Sequence, residues 1–451
     1  MQAVDLLILH GLVVTMDAQD TVLEDGALAI SGSKIVAVGR SSALRSQYSA
    51  SSTIDASQHV VMPGLINAHT HLADILFRGL VEDLSLEEWL ARLWVAEKAF
   101  VRPDTVRLGA RLAFAEMIRS GTTTALDMFW YPEVSVDEAR QVGFRLMTGP
   151  IYIDVDGPDQ VPLRERTARG RELLQEMAGD PLVVPCVLPH STYTITPAVL
   201  KEAKQLADEF GVFLSTHVSE TVAEVATVRA RYGRSPLLHL EALGLLDDRA
   251  VLAHCVHLAD EEIELLARWG STVAHCPLSN LKLGSGIAPI RRMRQERVPV
   301  TVGTDGPVSS NDLDMWTAIR VAASLHKGFH QDPTLLPARE VVRMVTCDAA
   351  AALGLAERIG SIAAGKDADL ILLHLDRPHL VPMYDLYAQL VYTVGRSDVS
   401  TTIIHGRVVM RDRQLATIDE ERAMADVRQL AEEVVPDGKW KTGNGERETA
   451  S

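Results

Sequence analysis

The chain has 451 residues, 47% hydrophobic and 23% charged, which fits a globular protein with a sizeable core and excludes a disordered one. Asp and Glu number 60 against 44 for Lys and Arg, a formal charge of −16, so there is no basic field for a nucleic-acid backbone. No apolar run reaches the roughly eighteen residues of a membrane helix, and neither nucleic acid nor membrane is an expected partner.

In chain order, residues 1–58 read as short β segments: Leu6 to Thr15, Gly26 to Ile30, and Lys34 to Val38 after a Ser31-Gly32-Ser33 turn. The run Leu6 to Val14 follows Asp5, lacks a basic flank and contains His10 and Gly11, which is poor signal-peptide material. From 59 to 362, apolar strand-like runs alternate with amphipathic stretches, the pattern of βα units. Eight runs begin near Val61, Thr122, Phe144, Leu182, Val212, Ala250, Ser271 and Pro299. Their mean spacing of roughly 34 residues suits a βα unit of about thirty or more. Eight such units close into an α/β barrel of the TIM, (β/α)8 type; a doubly wound open sheet is the competing fold. The wide first gap places a long loop and an extra helix between Leu72 and Gly121.

Asp367 to Leu375 and Thr401 to Met410 are again β-rich. Two or three short strands are marginal alone, so residues 1–58 and 363–415 are expected to combine into one small β-sandwich. In 416–451, Ile418 to Val435 spaces Met424, Val427, Leu430 and Val434 along one helix face, and a polar tail from Asp437 to Ser451 is expected to fray. Cys186, Cys255, Cys276 and Cys347 form no C-x-x-C pair and no disulfide framework. They read as buried apolar residues in a reducing cytoplasm.

Barrel enzymes collect their chemistry at strand C-terminal ends, where the βα loops converge. Run one ends His69-Thr70-His71, run five His217 followed by Glu220, run six His254, and run eight Asp305. The His-x-His pair is weak by itself; strand alternation turns both rings to one side, but such pairs also arise by chance. Imidazoles and a carboxylate at four strand ends are a different matter, and suit zinc or another borderline divalent ion with water completing the site.

The run Pro63-Gly64-Leu65-Ile66-Asn67-Ala68-His69-Thr70-His71, with Arg78-Gly79 to Trp89-Leu90, resembles the amidohydrolase superfamily. Within it, the likeness is to the branch of methylthioadenosine/S-adenosylhomocysteine deaminases and s-triazine hydrolases. Pro189-His190-Ser191, Thr216 to Glu220, Ala253 to His257, Ser279 to Leu283, Gly303 to Gly306 and Gly360 to Leu370 continue the match in order along nearly the whole chain.

This resemblance implies that His69, His71, His217 and Asp305 bind one divalent metal, with His254 beside its water. Zinc is the first choice, iron or manganese the alternatives. Two-metal relatives bridge their ions with a modified lysine at the end of strand four; here Val187-Leu188-Pro189-His190 has none, which favours one metal. A cation that lowers the pKa of bound water to about 7 supplies the nucleophile. Asp305 can then orient that water and take its proton, and His254 can stabilise developing charge. Glu220, three residues past His217, suits a general acid that protonates a ring nitrogen, as in unrelated zinc deaminases with a non-ligand Glu.

By the same resemblance His190 contacts a purine and Glu97 ribose hydroxyls, although an exposed helix glutamate is the bland alternative for Glu97. Asp74 departs from the family, whose deaminases carry an apolar residue there and whose guanine deaminases a glutamine. An inward carboxylate would favour ring N–H or amino donors; a solvated one would do nothing. His257 and His275 read as satisfied histidines, either in the core or beside the ligands, where they would fix ligand tautomers rather than bind metal.

The expected activity is metal-dependent hydrolytic deamination of an amino-substituted N-heteroaromatic ring, with adenine nucleosides such as 5′-methylthioadenosine, adenosine and S-adenosylhomocysteine first. The third is in doubt, because members that accept it carry an arginine after strand three, where Met147-Thr148-Gly149-Pro150 stands here. A triazine or pterin aminohydrolase or chlorohydrolase is the alternative within enzymes. A non-catalytic barrel scaffold is remote, since every ligand position is filled. An exposed apolar barrel face and the family's habits imply a homo-oligomer.

Overall fold

The computed structural model describes residues 1–155 and 157–434; the tail expected to fray from Asp437 onward lies outside them. Eight parallel strands form the barrel: Leu65–Thr70, Thr122–Asp127, Arg145–Thr148, Val183–Pro189, Phe213–Val218, Ala250–His254, Thr272–His275 and Val300–Val302. Nearly every strand residue is buried, as expected where helices cover one face and the packed interior fills the other. The last strand returns to the first where the Asp305 N–H donates to the His69 carbonyl at 3.0 Å. Helix Pro197–Phe210 is typical of the outer layer. It has proline in its first turn, buries Val199, Leu200, Ala203, Leu206 and Ala207 on one face, and ends at Gly211 in the left-handed conformation (φ 64°).

The run expected to open the barrel near Val61 is divided. His59–Pro63 pairs antiparallel with Leu370–His374 and parallel with Gln2–Val14, all within a terminal sheet. Only after Gly64 does the chain enter the barrel as Leu65–Thr70. A Cβ at Gly64 would lie 2.2 Å from the Thr123 side chain, so glycine lets the chain cross between layers. A continuous apolar run hides this break, because both halves are buried.

The terminal sheet has nine strands drawn from both chain ends. Strand Tyr48–Asp55, parallel to Gln2–Val14, was not expected; its serines and largely exposed pattern disguise it. Thr401 to Met410 is a hairpin rather than one strand, Val399–Ile404 and Arg407–Arg411. Hydrogen bonds from Ile35 N–H to the Lys366 carbonyl (2.9 Å) and from Ala368 N–H to the Ser33 carbonyl (2.8 Å) fold the sheet back on itself. Leu6, Ile8, Leu28 and Ile30 therefore share one core with Leu370, Leu372 and Ile403. Arg145, on the third barrel strand and 0% exposed, joins the two bodies through Asp369 (2.7 Å) and Asp367 (3.0 Å).

The expected insertion after strand one comprises a short turn Leu72–Phe77 and helix Leu86–Phe100; helix Pro103–Ser120 then packs outside as part of the first βα unit. The C-terminal helix, Glu420–Val434, buries Ala423 and Leu430.

Candidate metal centre and active site

His69, His217, His254 and Asp305 present ligand atoms all within 4.8 Å of one another. His71 joins them, with Nε2 3.2 Å from Asp305 Oδ1 and 3.3 Å from His217 Nε2. The strand ends thus bring together all five residues, 0–15% exposed at their side chains where measured.

Hydrogen bonds fix how the rings face. His71 Nδ1–H donates to the Met128 carbonyl at 2.5 Å, and His217 Nδ1–H to the His190 carbonyl at 2.7 Å. Both Nε2 atoms therefore carry lone pairs, and these point at each other. His69 Nδ1 and Nε2 are buried without any hydrogen-bond partner, Nε2 lying 3.4 Å from Asp305 Oδ1. A proton between His71 and Asp305 would satisfy one contact and leave His69 and His217 as opposed lone pairs. A divalent cation satisfies all four at once, so the donor set fits one.

His254 differs. The Asn280 amide Nδ2 faces His254 Nδ1 at 2.9 Å and can only donate, so the neutral ring carries its proton on Nε2, 3.6 Å from Glu220 Oε2. That tautomer makes His254 a donor toward the reaction pocket rather than a fifth ligand. Neither His257 nor His275 orients a ligand. His257 Nε2 binds the Ser285 carbonyl (2.6 Å), and His275 Nε2 meets His326 Nε2 at 3.1 Å.

Asp305 is held by its far oxygen. Ser279 and Ser309 hydroxyls donate to Oδ2 at 2.6 and 2.7 Å, leaving Oδ1 for His69 and His71. Burial opposes its charge, but the close approach of His69 and His71 and the nearby His254 imidazole keep its pKa well below the usual range. Without a cation, burial would discharge His71, yet the hydrogen bond and charge of Asp305 overcome it and push the ring up to about 10. His69, desolvated more than Asp305 compensates, falls to about 4. Burial, reinforced by the Asp305 charge, raises Glu220 to about 8. It is thus a protonated carboxylic acid at neutral pH, the state a general acid needs.

Four residues at these strand ends hold left-handed backbone without being glycine: Ser219 (φ 51°), His254 (φ 72°), Cys255 (φ 49°) and Asp305 (φ 62°). Each such residue costs on the order of 1–3 kcal/mol unless its surroundings enforce it. The enforcers are visible. Glu224, 4% exposed, accepts the Ser219 and Glu220 N–H groups at 3.0 and 2.6 Å. Asn67 spans strands one and eight, donating to Thr304 Oγ1 (2.7 Å) and accepting from Thr304 N–H (3.0 Å). Neither was singled out from sequence, although Thr221-x-x-Glu224 has the spacing of a helix-capping box.

The pocket above the cluster is lined by His71, Asp74, Glu97, His190, Glu220 and Asp305 among others, with Trp89, Trp94 and Trp130 as its aromatic walls. Glu97 is 5% exposed, not a surface glutamate, and accepts from Trp130 Nε1–H at 2.9 Å. Asp74 is 4% exposed, shares a hydrogen bond with Glu97, and keeps Oδ1 unpartnered. Burial raises both carboxyls, Glu97 to about 7. His190 lies between Trp94 and Tyr193, with Nδ1 3.0 Å from Thr194 Oγ1.

Comparison with known proteins gives a consistent picture. The profile described as amidohydrolase family matches residues 60–409. A 5-methylthioadenosine/S-adenosylhomocysteine deaminase from Syntrophus aciditrophicus (strain SB) is 44% identical over 96% of this chain and 98% of its own length. Among solved structures, an adenosine deaminase from Xanthomonas campestris with bound zinc superposes with a TM-score of 0.94 at 38% identity, covering 96% of this chain and 99% of that one. An atrazine chlorohydrolase from Arthrobacter aurescens TC1 complexed with zinc superposes at 0.87 with 28% identity, covering 94% and 100%.

Proposed function

The chain belongs to the amidohydrolase family and is a hydrolase of carbon–nitrogen bonds other than peptide bonds; from that premise we propose that it deaminates adenine nucleosides, 5′-methylthioadenosine first among them. The observation that carries the reading is Glu220, a buried carboxylic acid poised beside a His/Asp cluster built for a cation.

We assign His69, His71, His217 and Asp305 as ligands to one divalent ion, zinc by preference. That ion would supply a water ionised at neutral pH. Asp305 Oδ1 takes the proton released by the attacking water, while Ser279 and Ser309 keep the carboxylate from turning. Glu220 gives its proton to the ring nitrogen next to the attacked carbon, so negative charge does not accumulate on the ring. His254 Nε2–H donates to the oxygen added to the carbon that becomes tetrahedral. Collapse of that adduct expels ammonia as the proton held by Asp305 passes to the amino group, and the proton of the added hydroxyl restores Glu220 and leaves the ring carbonyl.

The wall of the pocket favours a nucleoside over a dialkylated triazine. Asp74 Oδ1 lacks a partner and its neighbour Glu97 is a buried carboxyl. Both gain from a ligand with hydroxyl donors, such as a ribose diol. The four cysteines are free, and we place the protein in the cytoplasm. No helix among the described residues is long and apolar enough to cross a membrane.

The test is metal-replete protein assayed on 5′-methylthioadenosine, adenosine, S-adenosylhomocysteine, an aminated pterin and a chlorotriazine, following ammonia, chloride and ultraviolet absorbance. Ammonia from the nucleosides is expected. Release from the pterin or triazine alone would replace the substrate class and keep the chemistry.

A further inference from the structure

Glu224 fixes the backbone of Glu220, but a general acid must also present one particular oxygen to its substrate. Ser285, 5% exposed, lies in the loop after helix Pro277–Lys282 and donates its hydroxyl to Glu220 Oε1 at 3.3 Å. Ser285 is held in turn. Its N–H donates to the Asn280 carbonyl at 2.8 Å, and its own carbonyl, which can only accept, takes the Nε2–H of His257 at 2.6 Å. His257 then donates its backbone N–H to the carbonyl of Ser219 at 2.9 Å, the residue before Glu220. A closed circuit results: Ser219, His257, Ser285, Glu220, and back along the chain. Gly286 lets the loop shut onto it, since its φ is 124° and a Cβ there would lie 3.1 Å from Val256 Cγ1 and 3.4 Å from His257 Cε1.

A carboxylic acid accepts best at its carbonyl oxygen, with the proton on the other. Ser285 engages Oε1, which leaves Oε2, the oxygen 3.6 Å from His254 Nε2, to carry and release the proton. Once that proton is given up, the Ser285 hydroxyl faces an anion, and a hydrogen bond to a charged acceptor is roughly twice as strong as one between neutral groups. The contact therefore tightens as the proton moves, and it stabilises the reacting state more than the bound substrate. We propose that Ser285 is a positioning residue for the general acid and that His257 acts through Ser285. The proposal rests on the assignment of Glu220 as the acid made above. Asn280 then serves both groups, His254 through its side chain and Ser285 through its carbonyl.

Steady-state constants of the metal-loaded enzyme, on whichever ring substrate it turns over, test this. Ser285→Ala should lower kcat about tenfold, the scale of an orienting contact beside a metal site, with KM and metal content per chain near wild type. Ser285→Thr, which keeps the hydroxyl, should recover most of that loss. His257→Phe should lower kcat by a smaller factor and cost nothing further once Ser285 is alanine. In a Glu220→Gln background Ser285→Ala should likewise add no loss, because the two residues act as one unit. An undiminished loss in that background, a change confined to KM, or no recovery with threonine would each overturn the proposal. Infrared difference spectra of the metal-loaded protein need no turnover. The C=O stretch of protonated Glu220, identified by its disappearance in Glu220→Gln, should move to higher frequency in Ser285→Ala as Oε1 loses its donor; an unshifted band removes Ser285. Wild-type turnover in Glu220→Gln, or no such band in the wild type, removes the acid itself and the proposal with it. An impaired Glu220→Gln beside an unaffected Ser285→Ala sinks the proposal alone.

Discussion

The floor of the active site and its wall are built by different means. On the floor, His69, His217, His254 and Asp305 leave parallel strands whose register is set by ladder hydrogen bonds, and backbone carbonyls of Met128 and His190 aim the rings. The wall is an insertion: Asp74 sits on a short turn and Glu97 on helix Leu86–Phe100, held by side-chain contacts such as the one from Trp130. A strand end in a closed barrel has few ways to differ, whereas an inserted helix can present any side chain to the pocket. Chemistry is thus anchored where the fold is stiff, and selectivity where it is free to vary.

Changes to the floor should strike hardest. His69→Asn or Asp305→Asn is expected to abolish metal binding, turnover or both, read from metal content per chain and ammonia release. Glu220→Gln should keep its metal and lose about 10²- to 10⁴-fold in kcat, as deletion of a proton-transfer group does; wild-type turnover would remove the assigned acid. Asn280→Leu frees His254 to change tautomer without touching a ligand. It should lower kcat by roughly 10- to 100-fold, the cost of losing an orienting contact beside a metal site, with KM nearly constant.

Changes to the wall should appear in KM instead. Glu97→Gln and Asp74→Leu are expected to raise KM for adenosine about tenfold, because each removes a polar contact to the sugar, while 2′,3′-dideoxyadenosine shows little change. If either variant lowers kcat as Glu220→Gln does, the division between floor and wall breaks. The smallest effect concerns the frame common to both. Burial lowers the pKa of His326 to about 4 and drives His275 lower still. In the unfolded chain both titrate near 6.5. Between about pH 6.5 and 4 the unfolded chain therefore binds more protons, and stability falls as pH falls through that window. Thermal melts at pH 7 and 5 should show a smaller drop in Tm for His326→Gln than for wild type.

The same contrast explains what was legible beforehand. His69, His71, His217, His254 and Asp305 could be read because each follows an apolar run, and the barrel geometry turns that position into a location. Asn280 lay within the resemblance, but its role, like that of Glu224, rests on hydrogen bonds from helices that leave no periodic trace. Glu97 and Asp74 could be named only through resemblance, since burial on an inserted helix depends on what packs over it. The division of the first run at Gly64 was hidden for the opposite reason: two buried strands in different sheets have the same composition.

Arg145 carries one more lesson. A guanidinium sealed between the third barrel strand and Asp367 and Asp369 would be stranded if those acids were removed, at a cost of about 3–5 kcal/mol for an unpaired buried charge. Anyone grafting this barrel onto a foreign partner, or trimming the chain to a minimal catalyst, would have to neutralise that arginine in the same step. The barrel and the terminal sheet are, in that sense, inherited together.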